Sequence, residues 1–220
     1  FMEVLGPGTH MVATCQAAPP AMVATAMLAK RQPELVPASL TLMGGPVDTR
    51  VSPGALEKLT EILPLWLFKK NNIHTVPPGF PGSGRRVYPG FYQLSGFKGD
   101  EEATERFRDF YDEYFAVLDM AETFYLETLE KIFFEHHIPR GLMTFEDELV
   151  DFASVKAMGL LTVEGGNDHF CPPGQTEAAH HVFTGLPASQ RKNYIQPGVG
   201  HYGVFSGSKF QSGIYPVIRD

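Results

Sequence analysis

Cysteine, tryptophan and basic side chains are all scarce in this sequence of 220 residues. Its two cysteines are fewer than a disulfide-stapled secreted domain normally carries, so we expect the reducing environment of the cytoplasm. Lysine and arginine together number 18 against 25 aspartates and glutamates, which leaves a net charge of -7. Because nucleic acids and anionic membranes bind basic surfaces, this acidic balance disfavours both as the main partner.

Long apolar runs and the common metal and nucleotide motifs are also missing. The nearest approach to a membrane span, from Val12 to Ala29, is interrupted by Pro19 and Pro20, so no span is predicted. The first residues lack the basic segment and apolar stretch of a signal peptide. No HExxH, CxxC or P-loop pattern occurs, and we therefore expect neither a metal ion nor a cofactor.

Alternating strand and helix patterns indicate the fold class. With 43% hydrophobic residues, the chain can form one domain, or a domain with a small insertion. The alternation predicts an α/β fold with a largely parallel sheet. The proline- and glycine-rich residues 76–90 are expected to form a loop. The predicted strands are 10–15, 40–43, 158–163 and 192–196, and the predicted helical segments are 21–29, 54–63, 100–137 and 175–183.

Cys15 follows the first predicted strand in the sequence Ala13-Thr14-Cys15-Gln16-Ala17. A nucleophile elbow needs a strand, a sharp turn that carries the nucleophile, and then a helix, with small residues two positions before and after. The two alanines meet that requirement where glycine is usual. Taken alone, a free cysteine after a strand is more often a small buried hydrophobic residue, so this pattern is a weak signal.

Asp168 and His201 follow two later strands. The carboxylate can orient an imidazole, although an aspartate in a glycine-rich turn often only satisfies its own loop. His201 lies between glycines, which leave room for the close approach of other groups. Functional groups of parallel sheets gather at the carboxyl ends of the strands, and the order nucleophile, acid, histidine is that of α/β-hydrolases. Three weak signals in this order and context support one another.

Four further segments run in order through nearly the whole chain: Thr41-Leu42-Met43-Gly44-Gly45-Pro46-Val47-Asp48-Thr49-Arg50, Gly84-Arg85-Arg86-Val87-Tyr88-Pro89-Gly90-Phe91, Phe110-Tyr111-Asp112-Glu113-Tyr114 and Gln196-Pro197-Gly198-Val199-Gly200-His201-Tyr202-Gly203-Val204-Phe205. Together they resemble the signature of the intracellular polyhydroxyalkanoate (polyhydroxybutyrate) depolymerases. In that family the nucleophile is a cysteine in a Cys-Gln context, and the sequence has Cys15-Gln16.

The resemblance implies an α/β-hydrolase-like fold, with the C-terminal part of the parallel sheet and an inserted helical cap. It implies a core made of residues 1–75 and 145–220, with a loop and cap at 76–144. Asp168 and His201 would complete a triad with Cys15, and the backbone N–H of Gln16 would be one oxyanion donor. The expected activity is ester hydrolysis through a thioester acyl-enzyme, and the expected partners are the polymer or its oligomers and the surface of cytoplasmic storage granules. A homo-oligomer is a further expectation.

Some departures from the family keep alternatives open. The family's chains are longer at the N-terminus, so we expect a partial sequence or a truncated homologue that lacks the second oxyanion donor. Such a chain should hydrolyse polymer weakly and self-associate. Ala17 also stands where the family usually has proline. The alternatives are a related polyester synthase or other acyltransferase, and an inactive granule-binding module.

The remaining histidines and the second cysteine are expected to have no catalytic role. We predict that the histidines at 136, 137, 180 and 181 are solvated or cap helices. Cys171 is predicted to be non-catalytic and to lie near the rim of the site. The aromatic residues between Phe107 and Phe134 either grip the polymer or pack the core of the cap, and the second reading is favoured for at least half of them.

Overall fold

The computed structural model describes residues 1–54 and 121–220, apart from the side chain of Glu122. The chain divides into two compact units, one made of Phe1–Leu63 and Glu127–Asp220 and the other of Pro64–Leu126. The predicted helix at 54–63, the loop at 76–90, the segments 84–91 and 110–114, and most of the predicted cap lie outside the described residues. The predicted boundaries of core and cap therefore stay a prediction.

Among the described residues of the first unit, four parallel strands form a sheet: β1 (His10–Thr14), β2 (Ser39–Met43), β5 (Gly159–Gly165) and β6 (Arg191–Gln196). They are hydrogen-bonded in the order β1-β2-β5-β6, and every pair is parallel, which confirms the largely parallel sheet that the alternating pattern predicts. Strands β2 and β5 are buried along most of their length, which is typical of inner strands covered on both faces. The short strands β3 (Thr144–Phe145) and β4 (Glu148–Leu149) pair antiparallel in a separate hairpin.

Helices and single turns connect the strands. The longest described helix, α2 (Ala18–Arg31), has Pro19 and Pro20 in its first turn, where a missing N–H costs nothing. Lys30 and Arg31 end this helix and form ion pairs with glutamates of the β3–β4 hairpin. The α-helices are α1 (Met2–Leu5), α2 (Ala18–Arg31), α3 (Glu122–Thr128), α4 (His137–Arg140), α5 (Ala179–Val182) and α6 (Tyr215–Arg219), and π-helical segments cover Leu129–Phe134 and Phe210–Ile214.

Apolar side chains from the two strands that lead into the site pack together with the C-terminal segment. Met43 of β2 and Val163 of β5 are both almost fully buried. Around them pack Val199, Val204 and Ile214, with Leu161, Tyr194, Phe205, Phe210 and Ile218 at the edge of the cluster. This cluster fixes the loop that follows β6 against the ends of β2 and β5.

Two helix predictions need correction. The predicted helix at 175–183 is α-helical only from Ala179 to Val182, because Gly174 has a positive φ of 102° and the carboxylate of Glu164 binds backbone N–H groups of this stretch. In the described part of the predicted helix at 100–137, a π-helical segment follows α3 and the chain turns at His136, whose φ is 51°. Within the described residues, no helix is long and apolar enough to cross a membrane.

Candidate active site

Cys15 lies in a sharp turn between β1 and α2. Its φ is 52°, in the left-handed region that non-glycine residues rarely adopt, and such strain is characteristic of functional sites. A single 3-10 turn, Cys15–Ala17, then leads directly into α2. The strand, the strained turn and the helix together give Cys15 the geometry of a nucleophile elbow.

His201 and Asp168 reach the same place from two other strand ends. The Nδ1–H of His201 donates to Oδ2 of Asp168 at 2.7 Å, and Nε2 of His201 lies 3.2 Å from Sγ of Cys15. Asp168 follows β5 and His201 follows β6, and both side chains are largely buried. The three residues that the sequence singled out are therefore joined by one line of hydrogen bonds.

Backbone contacts join the loop after β5, which carries Asp168, to the loop after β6, which carries His201. The N–H of Gly166 donates to the carbonyl of Gln196, and the N–H of Asn167 donates to that of Val199, both at 2.9 Å. A Cβ on Gly165 would lie only 2.9 Å from the carbonyl oxygen of Val199. Because the glycines permit this approach, the acid and the histidine keep a fixed separation.

The electrostatics of His201 favour its protonated form. Burial lowers the pKa of His201, but the hydrogen bonds to Asp168 and Cys15 outweigh burial and raise this pKa to about 9. In the protonated form the ring donates from Nδ1 to Asp168 and from Nε2 to the sulfur of Cys15. His201 can thus hold the proton of the Cys15 thiol at neutral pH.

A pocket of about 160 Å³ opens onto Cys15. Phe170 and Tyr202 flank the imidazole of His201 at ring distances of 5.6 Å and 5.8 Å. Phe133 reaches the pocket from the π-helical segment, an irregularity that the helical spacing of the aromatic residues did not reveal. The pocket is lined by Cys15, Gln16, Gly44, Pro46, Phe133, Phe170, Cys171, His201 and Tyr202.

The other residues singled out in the sequence have varied surroundings. Gln16, whose backbone N–H is the predicted oxyanion donor, lies in the pocket wall beside Cys15. Cys171 is buried in that wall rather than exposed at its rim, and burial raises the pKa of its thiol. His136 and His180 are half-buried rather than solvated, and they are hydrogen-bonded to Thr49 and Thr162. Among the described residues, no cluster of His, Cys, Asp and Glu could hold a metal ion.

Comparison with solved structures shows the fold. The structure of Rv0554 from Mycobacterium tuberculosis aligns with a TM-score of 0.55 at 16% identity, over 99% of this chain and 66% of that one. BpoC from Mycobacterium tuberculosis H37Rv, a candidate non-heme bromoperoxidase, aligns with a TM-score of 0.50 at 16% identity, over 98% of this chain and 66% of that one. The chain therefore has the α/β-hydrolase fold and spans slightly less than two thirds of the length of these structures.

Comparison of sequences shows the family. No curated protein sequence matches the chain at a significant level. Residues 44–98 and 97–220 match the protein family described as PHB de-polymerase C-terminus. The matched region contains Asp168 and His201, and Cys15 precedes it. The match covers most of the sequence, and the chain belongs to the PHB depolymerase C-terminus family.

Proposed function

We propose that this chain hydrolyses ester bonds of intracellular polyhydroxyalkanoate, such as poly-3-hydroxybutyrate, with Cys15 as the nucleophile. The observation that carries the proposal is the line of hydrogen bonds from Cys15 through His201 to Asp168, in a chain of the PHB depolymerase C-terminus family. A cysteine hydrogen-bonded to a histidine, with the histidine oriented by a carboxylate, is the arrangement that activates a sulfur nucleophile.

The first half of the proposed reaction acylates the enzyme. The Cys15 proton passes to Nε2 of His201, and the sulfur attacks the carbonyl carbon of the ester. The backbone N–H of Gln16 stabilises the charge that develops on the carbonyl oxygen. When the C–O bond breaks, His201 returns the proton to the departing hydroxyl group, and a thioester remains on Cys15.

The second half releases the acid. His201 takes a proton from a water molecule, whose oxygen attacks the thioester carbonyl. The C–S bond breaks, the sulfur of Cys15 regains its proton from His201, and a 3-hydroxyalkanoate monomer or oligomer leaves. Throughout both halves Asp168 keeps the Nδ1–H of His201 pointed away from the sulfur, so that Nε2 alone exchanges protons with the reacting groups.

The pocket suits a short apolar acyl unit rather than a bulky one. Its volume of about 160 Å³ is small for a ligand site, and aromatic rings form much of its wall. Phe170 and Tyr202 are both partly exposed, so a polymer segment outside the pocket could contact the same rings. A polymer of short 3-hydroxyacyl units presents one such unit at a time, and amorphous granules in the cytoplasm are the proposed partner.

Hydrolysis of amorphous polymer granules and of soluble 3-hydroxybutyrate oligomers tests this proposal. The chain should release 3-hydroxybutyrate, and Cys15→Ala should not, while His181→Ala, a substitution at an exposed histidine outside the pocket, should act like the parent. Activity of Cys15→Ala equal to that of the parent would contradict the proposal. A polyester synthase would instead pass the acyl group from the thioester to a hydroxyl acceptor, and a granule-binding module would bind granules without forming a thioester.

A further inference from the structure

A second carboxylate, that of Glu164, lies fully buried at the end of β5, four residues before Asp168. Its Oε1 accepts three backbone hydrogen bonds, from Gly174 and Thr176 at 2.9 Å and from Glu177 at 3.1 Å. Hydrogen bonds to an ionised carboxylate are among the stronger ones in proteins. Glu164 therefore anchors the far end of the loop formed by residues 168–177.

Asp168 anchors the near end of the same loop. Its Oδ1 accepts the N–H groups of Phe170 and Cys171 at 2.8 Å and 2.9 Å, and its Oδ2 is bonded to His201. The two carboxylates thus bind five backbone N–H groups between them within one short loop. A displacement at the Glu164 end would tilt the carboxylate that orients His201.

Thr176 connects this loop to the turn after β2. Its hydroxyl accepts from the N–H of Gly45 at 2.9 Å and donates to the carbonyl of Gly45 at 3.0 Å. The neighbouring Gly44 lies against the imidazole, since a Cβ on it would be 3.3 Å from Cε1 of His201. Glu164 is therefore linked to His201 by two routes, one through Asp168 and one through Thr176 and the glycine turn.

Glu164 is a costly residue for a merely structural role. Among the described residues its Oε2 has no hydrogen-bond partner, although the atom is buried. Burial also raises the pKa of its carboxyl group, the sign of an environment that disfavours the charge. An apolar side chain would avoid this penalty but would leave the three backbone N–H groups without their acceptor, so the anchoring of the loop is what the carboxylate provides.

We propose that Glu164 is a positioning residue, which holds the 168–177 loop so that Asp168 and the Gly44–Gly45 turn keep His201 aligned with Cys15. This inference rests on the proposed function only in taking the Cys15–His201 pair as the reacting groups. It adds a residue that touches neither the pocket nor the reacting atoms.

Alkylation of Cys15 by iodoacetamide tests the inference without a polymer substrate. The measured quantity is the ratio of the alkylation rate at pH 6 to that at pH 10. The rate at pH 10 is the reference, because an ordinary thiol is almost fully ionised at that pH. An isolated thiol with a pKa of about 8.5 gives a ratio of about 0.003, and a sulfur that transfers its proton to an aligned histidine gives a much higher one. Dividing by the rate at pH 10 removes differences in access to the sulfur.

Five variants separate positioning from stability. Glu164→Ala should lower the ratio at least tenfold, and Thr176→Val, which keeps the side-chain shape but loses both bonds to Gly45, should lower it severalfold. Glu164→Gln keeps an acceptor oxygen and should stay within about threefold of the parent. Val155→Ala, at a buried site away from the pocket, should lower the melting temperature without changing the ratio. His201→Ala gives the ratio that full loss of alignment produces.

The outcomes distinguish this inference from the proposed function. A parent ratio as low as that of His201→Ala would show that Cys15 and His201 do not act as a pair, which would overturn both. If the parent has a high ratio and Glu164→Ala has the same ratio, the positioning role alone would be overturned. It would also be overturned if Val155→Ala lowered the ratio as much as Glu164→Ala does. If Glu164→Ala does not fold, Thr176→Val decides, and a parent-like ratio there would overturn the inference.

Discussion

Gly45 lies so close to Ala18 that a Cβ on Gly45 would be 2.2 Å from the Cβ of Ala18. The same added atom would be 3.0 Å from the carbonyl oxygen of Cys15. Ala18 is the fully buried first residue of α2, so the turn after β2 packs directly on the start of the helix that follows Cys15. The close approach of two small residues holds the elbow in place.

Gly45→Ala is expected to displace the elbow and reduce hydrolysis strongly. Neither Ala18 nor the Cys15 carbonyl can move away without a backbone shift, and overpacking of this kind costs about 1–3 kcal/mol of stability. Urea unfolding and rates on soluble 3-hydroxybutyrate oligomers measure the two effects. Gly141→Ala is the control for loss of stability alone, because the φ of 67° at Gly141 strains an alanine although its Cβ would meet no atom within 4 Å. Gly141 does not line the pocket, so this variant should be destabilised but keep its activity. Equal activity of Gly45→Ala and the parent would contradict the role given to this contact.

Substitution of His201 or Asp168 should lower kcat for ester hydrolysis nearly as much as substitution of Cys15. His201→Ala removes the proton acceptor and Asp168→Asn removes control of the imidazole tautomer, and each should lower kcat by about 10⁴-fold. The exposed His181 and the half-buried His180, which is bonded to Thr162, should tolerate alanine with small changes in kcat. If His180 were required and His201 were not, the assignment would be wrong.

Much of the candidate site could be predicted from the sequence because its residues follow strands. Alternating patterns located β1, β5 and β6, and parallel strands bring their carboxyl ends to one edge. The helix at 175–183 was predicted wrongly because propensity does not include a carboxylate ten or more residues earlier that binds the backbone N–H groups.

The pocket wall and the role of Glu164 could not be predicted in the same way. Phe133 has the helical spacing of a core residue, and that spacing does not reveal that it lies in a π-helical segment and lines the pocket. Glu164 directly follows the predicted strand 158–163, and a charged side chain at the end of a strand is usually exposed to solvent. A carboxylate within an otherwise buried strand pattern, just before a glycine turn, is a signal that could have drawn attention to it.

Stability should fall as the pH rises from about 6.5 to about 9. The pKa of His201 is raised to about 9 in the folded chain, above its ordinary value of about 6.5, so folding favours the proton. The stabilisation is complete below pH 6.5. Between pH 6.5 and about 9 the native state binds more protons than the unfolded state, so the stabilisation falls with rising pH and is lost once the pH passes the pKa of His201 in the folded chain. Urea unfolding at pH 6, 7.5 and 9 should show a steeper decline for the parent than for His201→Gln. Identical declines in the two proteins would contradict the raised pKa.

Phe170 is expected to contribute to substrate binding. The residue is 49% exposed and its ring lies beside His201, so its removal leaves no buried cavity. Phe170→Ala should therefore raise KM severalfold for 3-hydroxybutyrate oligomers with a smaller change in kcat and in melting temperature. Phe133→Ala, at a buried ring, should instead cost about 3–5 kcal/mol of stability. A Phe170→Ala variant with an unchanged KM would remove this ring from the binding site.

The central claim is that Cys15 forms a thioester with the acyl group of the substrate. Rapid acid quenching of the chain with an activated 3-hydroxybutyrate ester, followed by intact-mass and peptide-level mass spectrometry, tests this claim directly. We expect one 3-hydroxybutyryl group on the peptide that contains Cys15, none on the buried Cys171, and none in Cys15→Ala. An adduct on Cys171, or hydrolysis of the ester by Cys15→Ala at the parent rate, would contradict it.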